Sequence, residues 1–210
     1  MPNPDKSSFI AAYFDAFEHK INRLSAMRDS YPEEAFTLCL VYIDRLASGR
    51  FYSGNVYENG KNFWRVLTEL TSISVFGMLH PRQLIEEAKA HVPSAVPVLE
   101  GLIAGCPTEL LTELQVSGAL LASNIRVEDR KRVLPFLWKA SVANIAYEFI
   151  RNPAVHGPGA GSLSFSQTTY DGKKGFALDF ETFYAALREI SGHIKEISVT
   201  TGEWFGNPAI

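Results

Sequence analysis

The chain has little cysteine: two residues among 210, Cys39 and Cys106. They stand far apart with no ligand-like spacing, which argues against a disulfide framework or a structural zinc site and makes both thiols candidates for buried packing. Long hydrophobic runs are missing as well. Lys139, His80, Pro93 and Pro97 cut the most apolar stretches before they reach the ~20 residues that a membrane span needs, so no membrane association is expected. The opening segment MPNPDKSSFIAAYFDAFEHK has no basic region followed by an apolar block and a small-residue cleavage site. No export signal is read in it, and a cytoplasmic location is the expectation. Positive charge is not in excess either. Twenty Lys and Arg against 23 Asp and Glu give a formal net charge of −3, which excludes a broadly cationic surface that binds nucleic acid through long-range attraction alone. Repeats, low-complexity tracts and a linker are all absent, so one domain over 1–210 is expected.

What is present suits an ordinary globular core: 46% apolar and 20% charged residues, far from the composition of a disordered chain. The apolar residues recur mostly at helical spacing. Tyr13, Phe17, Ile21 and Leu24 predict a helix from about Ser8 to Met27. Pro32 suits the first turn of a second helix, Glu33 and Glu34 complement its dipole, and Phe36, Leu40 and Ile43 form its apolar face up to about Gly49. The stretch Ser53 to Gly60 reads as a loop. Phe63, Val66, Leu67, Leu70 and Ile73 mark a third helix that ends about Gly77 to Pro81. Prolines and glycines then punctuate 81–125, which reads as a small helical insertion or cap. Leu137, Trp138, Val142, Ile145 and Phe149 predict one long, deeply buried helix from about Leu134 to Arg151. After the Gly-rich GPGAG from Gly157, alternation of Leu163 and Phe165, then Tyr170-Asp171-Gly172, then alternation of Phe176, Leu178 and Phe180, predicts a β-hairpin over 162–181. Phe183, Leu187, Ile190 and Ile194 predict a last helix. The fold class expected is therefore mainly α, with a short hairpin.

The segment Arg151-Asn152-Pro153-Ala154-Val155-His156 has the most chemical content. In an unbroken helix Arg151 and His156 would lie about 140° apart, at about 100° per residue, and would not converge. Pro153 disfavours helical geometry at Asn152 and itself suits a helix start, so a kink or restart is expected there, with Asn152 able to cap a new short turn. Histidine is suited to proton transfer, with an unperturbed pKa of ~6.5. Arginine offers a permanently charged planar fork that fits phosphate oxygens.

An arginine followed directly by asparagine, then a histidine five residues after the arginine, at the end of a long apolar helix, resembles the signature of the HEPN superfamily (higher eukaryotes and prokaryotes nucleotide-binding). The segment LCLVYIDRLAS, Leu38 to Ser48, resembles an early helix of bacterial members. The resemblance covers roughly two thirds of the chain, leaving out the proline-punctuated middle. It implies a bundle of four or five helices, usually a homodimer, and in many members metal-independent cleavage of RNA, here of a defence or toxin type. It assigns His156 to proton transfer, Arg151 to the scissile phosphate and Asn152 to a supporting role, with RNA as substrate and an antitoxin or other protein as a further partner. No metal or cofactor is expected. In members paired with a nucleotidyltransferase antitoxin a tyrosine stands two residues after the histidine; Pro158 stands there instead, so nucleotide transfer to such a tyrosine is not supported.

Plainer readings stand beside these. Arg151 could cap helix-end carbonyls and His156 could pack in a turn, leaving a non-catalytic helical module that binds RNA, nucleotide or a protein partner. Gly157 and Gly159 lack the Gly-Lys-Ser/Thr ending of a phosphate loop. Arg126, Arg130, Lys131 and Arg132 are diluted by Glu128 and Asp129 and read as a solvated helix start. His19, His80, His91 and His193 have no paired ligand spacing and read as surface or structural residues. The adjacent Trp204 and Phe205 are expected to dock on the bundle.

Overall fold

The computed structural model describes residues 4–52, 58–105, 110–151, 169–170, 173–174 and 179–207. In chain order its helices are α1 (Pro4–Met27), α2 (Pro32–Phe51), α3 (Asn59–Glu69), α4 (Pro81–His91), α5 (Val96–Gly105), α6 (Glu113–Ala122), α7 (Val127–Val133), α8 (Val142–Ala146) and α9 (Phe180–Thr201). The protein is mainly α. Among the described residues no helix is long and apolar enough to cross a membrane. Of the expected hairpin, the described part is an antiparallel pairing of Thr169 with Lys174 and of Tyr170 with Lys173.

The chain divides into two compact units, one made of residues 1–73 and 146–210 and the other of Ser74–Ile145. The segment 81–125 lies inside the second, whose bounds are wider. In the first unit α1, α2 and α9 pack on one another and α3 packs on α2 and α9. α1 begins at Pro4, four residues before the expected Ser8, and buries Ile10, Phe14, Phe17, Ile21 and Leu24. These positions follow the 3.6-residue period, and full burial of such side chains contributes about 1.5–3 kcal/mol each. Tyr13, expected in that stripe, sits half-buried at its edge. α2 starts with Pro32 in its first turn and has Glu33 and Glu34 at its positive end, as its sequence predicts. Asn59 and Gly60, expected in a loop, are the first residues of α3. That helix stops at Glu69, so Leu70 and Ile73 fall beyond it. α9 is capped by Asp179, whose carboxylate accepts the Thr182 amide at 2.8 Å, and it ends on Gly202 in the left-handed conformation, φ 70°.

The second unit has its own core, in which Leu79, Leu84, Leu99, Leu111, Leu120 and Phe136 are buried together. Leu79 exchanges backbone hydrogen bonds with Leu111, at 2.7 and 2.9 Å. The His80 amide donates to the Ala140 carbonyl, and the Val142 amide to that of Met78. The stretches by which the chain comes into this unit and leaves it therefore lie side by side, as an inserted unit requires. Thr112 and Gln115 form a reciprocal capping box at the start of α6.

The long helix expected from Leu134 to Arg151 is three pieces. Leu134–Ala140 is a 3-10 segment, α8 follows after Ser141, and Tyr147–Arg151 is a π-turn. Ser141 makes the break. Its backbone is extended, its hydroxyl donates to the Trp138 carbonyl at 2.6 Å and accepts the Asn144 amide at 3.2 Å, and the Asn144 side chain returns to the Lys139 carbonyl. These bonds terminate one segment and cap the next. Phe149, expected in the buried stripe, is 54% exposed, because the wider π-turn rotates side chains off the α-helical face.

Candidate functional site

The buried face of α2 is apolar except at one position. Phe36, Cys39, Leu40, Ile43, Leu46 and Ala47 are buried, and Asp44 is buried among them. A carboxylate at such a place needs a cationic or hydrogen-bonding partner. It has one 107 residues later in sequence: Nη2 of Arg151 meets Oδ2 of Asp44, with the two side chains 13% and 12% exposed. Arg151 is the last residue of the π-turn, a geometry frequent at functional positions. Its guanidinium also lies 5.3 Å from the centre of the Tyr147 ring, one turn back. Tyr147 in turn packs against Phe63 of α3, with the ring centres 5.3 Å apart. Burial, and then the charge of Asp44, push the Tyr147 phenol above its ordinary range, while Arg151 opposes the shift.

Three helical segments thus fix one guanidinium. α2 supplies the counter-charge, α3 the ring behind Tyr147, and the π-turn the arginine itself. A guanidinium presents a fork of several N–H donors, so engagement of one nitrogen by a carboxylate orients the rest of the plane. Chemically this is an arginine held at a defined position where the chain passes into residues 152–156. Asn152 and His156 lie outside the described residues, as do Gly157 and Gly159. Of the three site residues read from the sequence, Arg151 is the one described, and it is brought to Asp44, which sequence reasoning missed. The signal was present: a lone acid at a core position of α2, among Phe36, Cys39, Leu40, Ile43, Leu46 and Ala47.

His80, His91, His193, Arg126 and Arg132 are engaged in local contacts. His80 sits at the cap of α4, its Nδ1 3.5 Å from the Gln83 amide, and burial followed by the neighbouring Arg82 lowers its pKa. His193 places Nδ1 2.8 Å from the Leu70 carbonyl. His91 lies 3.4 Å from the Lys139 amine. Among the described residues no group of three or more His, Cys, Asp or Glu is placed to hold a metal. Burial pushes the Cys39 thiol far up, so it is an inert core residue; Cys106 lies outside the described residues. On α7, Arg126 and Arg132 converge on Asp129, whose carboxyl is held below its ordinary value first by the Ser94 hydroxyl and then by Arg126.

The aromatic tail docks within the first unit. Trp204 and Phe205 meet the Tyr13 ring edge-on, Arg50 donates to the Gly206 carbonyl at 2.7 Å, and the Asn207 amide donates to the carbonyls of Gly49 and Tyr52. Compared with family models, with curated proteins and with solved structures, the chain matches none.

Proposed function

We propose that this chain is a HEPN-like, metal-independent endoribonuclease of a cytoplasmic defence or toxin type, acting as a homodimer. In this reading the helical bundle is HEPN-like, with 81–125 as its insertion and 162–181 as its hairpin. The observation that carries it is the meeting of Asp44 and Arg151. Two of the stretches on which the family resemblance rests, Leu38 to Ser48 and the Arg151 motif, lie far apart in sequence and meet in this ion pair, while the single long helix expected to lead into Arg151 is replaced by three helical pieces.

The reaction asks for little beyond what the motif offers. A base removes the proton of a ribose 2′-hydroxyl, and the oxygen attacks the adjacent phosphorus. The bond to the 5′-oxygen breaks, that oxygen takes a proton from an acid, and a 2′,3′-cyclic phosphate and a 5′-hydroxyl result. His156 transfers the protons, Arg151 stabilises the charge on the crowded phosphate, and Asn152 orients the imidazole or the phosphate. Asp44 is the positioning residue, holding the guanidinium in place. One chain provides one imidazole in the motif, so a second copy across a two-fold axis supplies the other proton-transfer group.

The test is incubation of the purified protein with mixed RNA in excess chelator. Cleavage is expected in the parent, with a loss of at least about 100-fold in His156→Ala and in Arg151→Ala, the range that general acid-base groups contribute. One observation favours a second reading. Asp44 already compensates the charge of Arg151 within a largely buried pair, which is what a purely structural bridge does. On that reading the protein is a non-catalytic module for RNA, nucleotide or a protein partner, and the parent shows no cleavage.

A further inference from the structure

Helix α6, ELQVSGALLA, is apolar on nearly every side. Its inner face is accounted for, since Val116 and Leu120 enter the core of the second unit. Its outer face is not. Leu114 and Leu121 are 82% and 69% exposed, with Ser117 and Gly118 between them, so the spacing i, i+3, i+4, i+7 draws an uncharged seam along the helix. A helix apolar all round belongs in an interior, and here the described residues cover only one side. Among the described residues, nothing beyond Gly118's own neighbours and helix backbone lies within 4 Å of where a Cβ on Gly118 would stand, leaving room for a second backbone to approach closely.

The seam continues into a groove. Val127 and Leu134, both exposed, face Leu120 and Leu121 across a cavity of about 250 Å³. Half of the exposed large apolar side chains among the described residues, Leu114, Leu121, Val127 and Leu134, belong to this one surface. Among the described residues its charged lining residues are Arg130 and Lys131. Arg130 reaches across to the Leu121 carbonyl at 3.4 Å, tying the two walls. Lys131 makes no ion pair or hydrogen bond among the described residues, unlike Arg126 and Arg132, which are committed to Asp129.

We propose that this groove is the docking site for an amphipathic helix of a partner protein, apolar along the side laid on Leu114, Gly118 and Leu121 and acidic along the side that meets Arg130 and Lys131. The anchors recur at helical spacing, as helix-in-groove recognition requires, and the basic lip selects the sign of the partner's flank. A concave apolar floor suits inserted side chains. A flat lipid surface would reach the rim residues and leave Leu120 untouched.

The experiment uses the full chain and two fluorescein-labelled 16-residue peptide probes, each with leucines at i, i+3, i+4 and i+7, one flanked by glutamates and the other by lysines. Fluorescence anisotropy is expected to show saturable binding of the Glu-flanked probe and at least about tenfold weaker binding of the Lys-flanked one. Leu121→Ser with Leu134→Ser should weaken the first probe at least about tenfold without changing far-ultraviolet circular dichroism, because both side chains are exposed. Lys131→Glu, which disturbs no described contact, should narrow the preference, and Arg130→Glu with Lys131→Glu should reverse it. Failure of the Glu-flanked probe to saturate, equal binding of both, or indifference to the leucine changes overturns the proposal. So does a groove filled otherwise: self-association that Leu121→Ser abolishes in sedimentation, or co-sedimentation with anionic phospholipid vesicles that the same change abolishes.

Discussion

Removing the Asp44 carboxylate takes away the counter-charge of a guanidinium that is itself mostly out of water. Breaking a buried ion pair from one side costs about 3–5 kcal/mol, whereas replacing both partners by apolar groups of like size costs far less. Asp44→Ala is therefore expected to lower the urea-unfolding free energy by about 3 kcal/mol, and Asp44→Leu with Arg151→Met to recover most of it. A single variant within about 0.5 kcal/mol of the parent would mean that groups other than this carboxylate satisfy Arg151. The same cycle bears on chemistry. If Arg151 serves a phosphate, the doubly apolar chain is folded and inactive, which separates positioning from mere support.

At the scale of elements, α1, α2 and α9 are legible because each keeps one apolar stripe over about three to four turns, and a stripe of that length leaves little choice of structure. The Leu134–Arg151 stretch was misread for a related reason. Its apolar spacing persists through Ser141, so the period reports which side is buried while the side-chain bonds of Ser141 and Asn144 decide that the helix breaks. Asp44 escaped notice because its partner is fixed by tertiary packing, which no local window contains. The docking of the tail depends on a different local feature, the lack of a side chain at Gly49. A Cβ there would stand 2.5 to 2.7 Å from the Phe205 ring, whose own residue holds a positive φ of 54°. Neither partner has an easy way to yield. Gly49→Ala should gain about 1 kcal/mol of helix propensity and lose about 1–3 kcal/mol to overpacking. The expected net result is a modest loss of stability, with amide exchange at 202–207 accelerated far more than in the centre of α9. Unchanged exchange in the tail would mean that the ring moves aside at no cost.

For the whole molecule the decisive quantity is how many copies make one site. A single motif holds one imidazole, yet the proposed reaction removes one proton and delivers another. If two chains share one cleft, activity is a property of the dimer, and mass action makes it depend on protein concentration. Specific activity toward RNA in chelator should then be constant at high concentration and fall in proportion to concentration below the dimer dissociation constant. An excess of His156→Ala subunits mixed into a fixed amount of parent protein should suppress activity, because most parent chains would then pair with a partner lacking its imidazole. Mixing His156→Ala with Arg151→Ala should restore nothing, since the mixed dimer still holds a single imidazole for two proton transfers. Sedimentation velocity run on the same dilution series fixes where the dimer dissociates. Undiminished specific activity in samples that sediment as monomers would show that one chain suffices, and the second proton-transfer group would then have to come from within the same subunit.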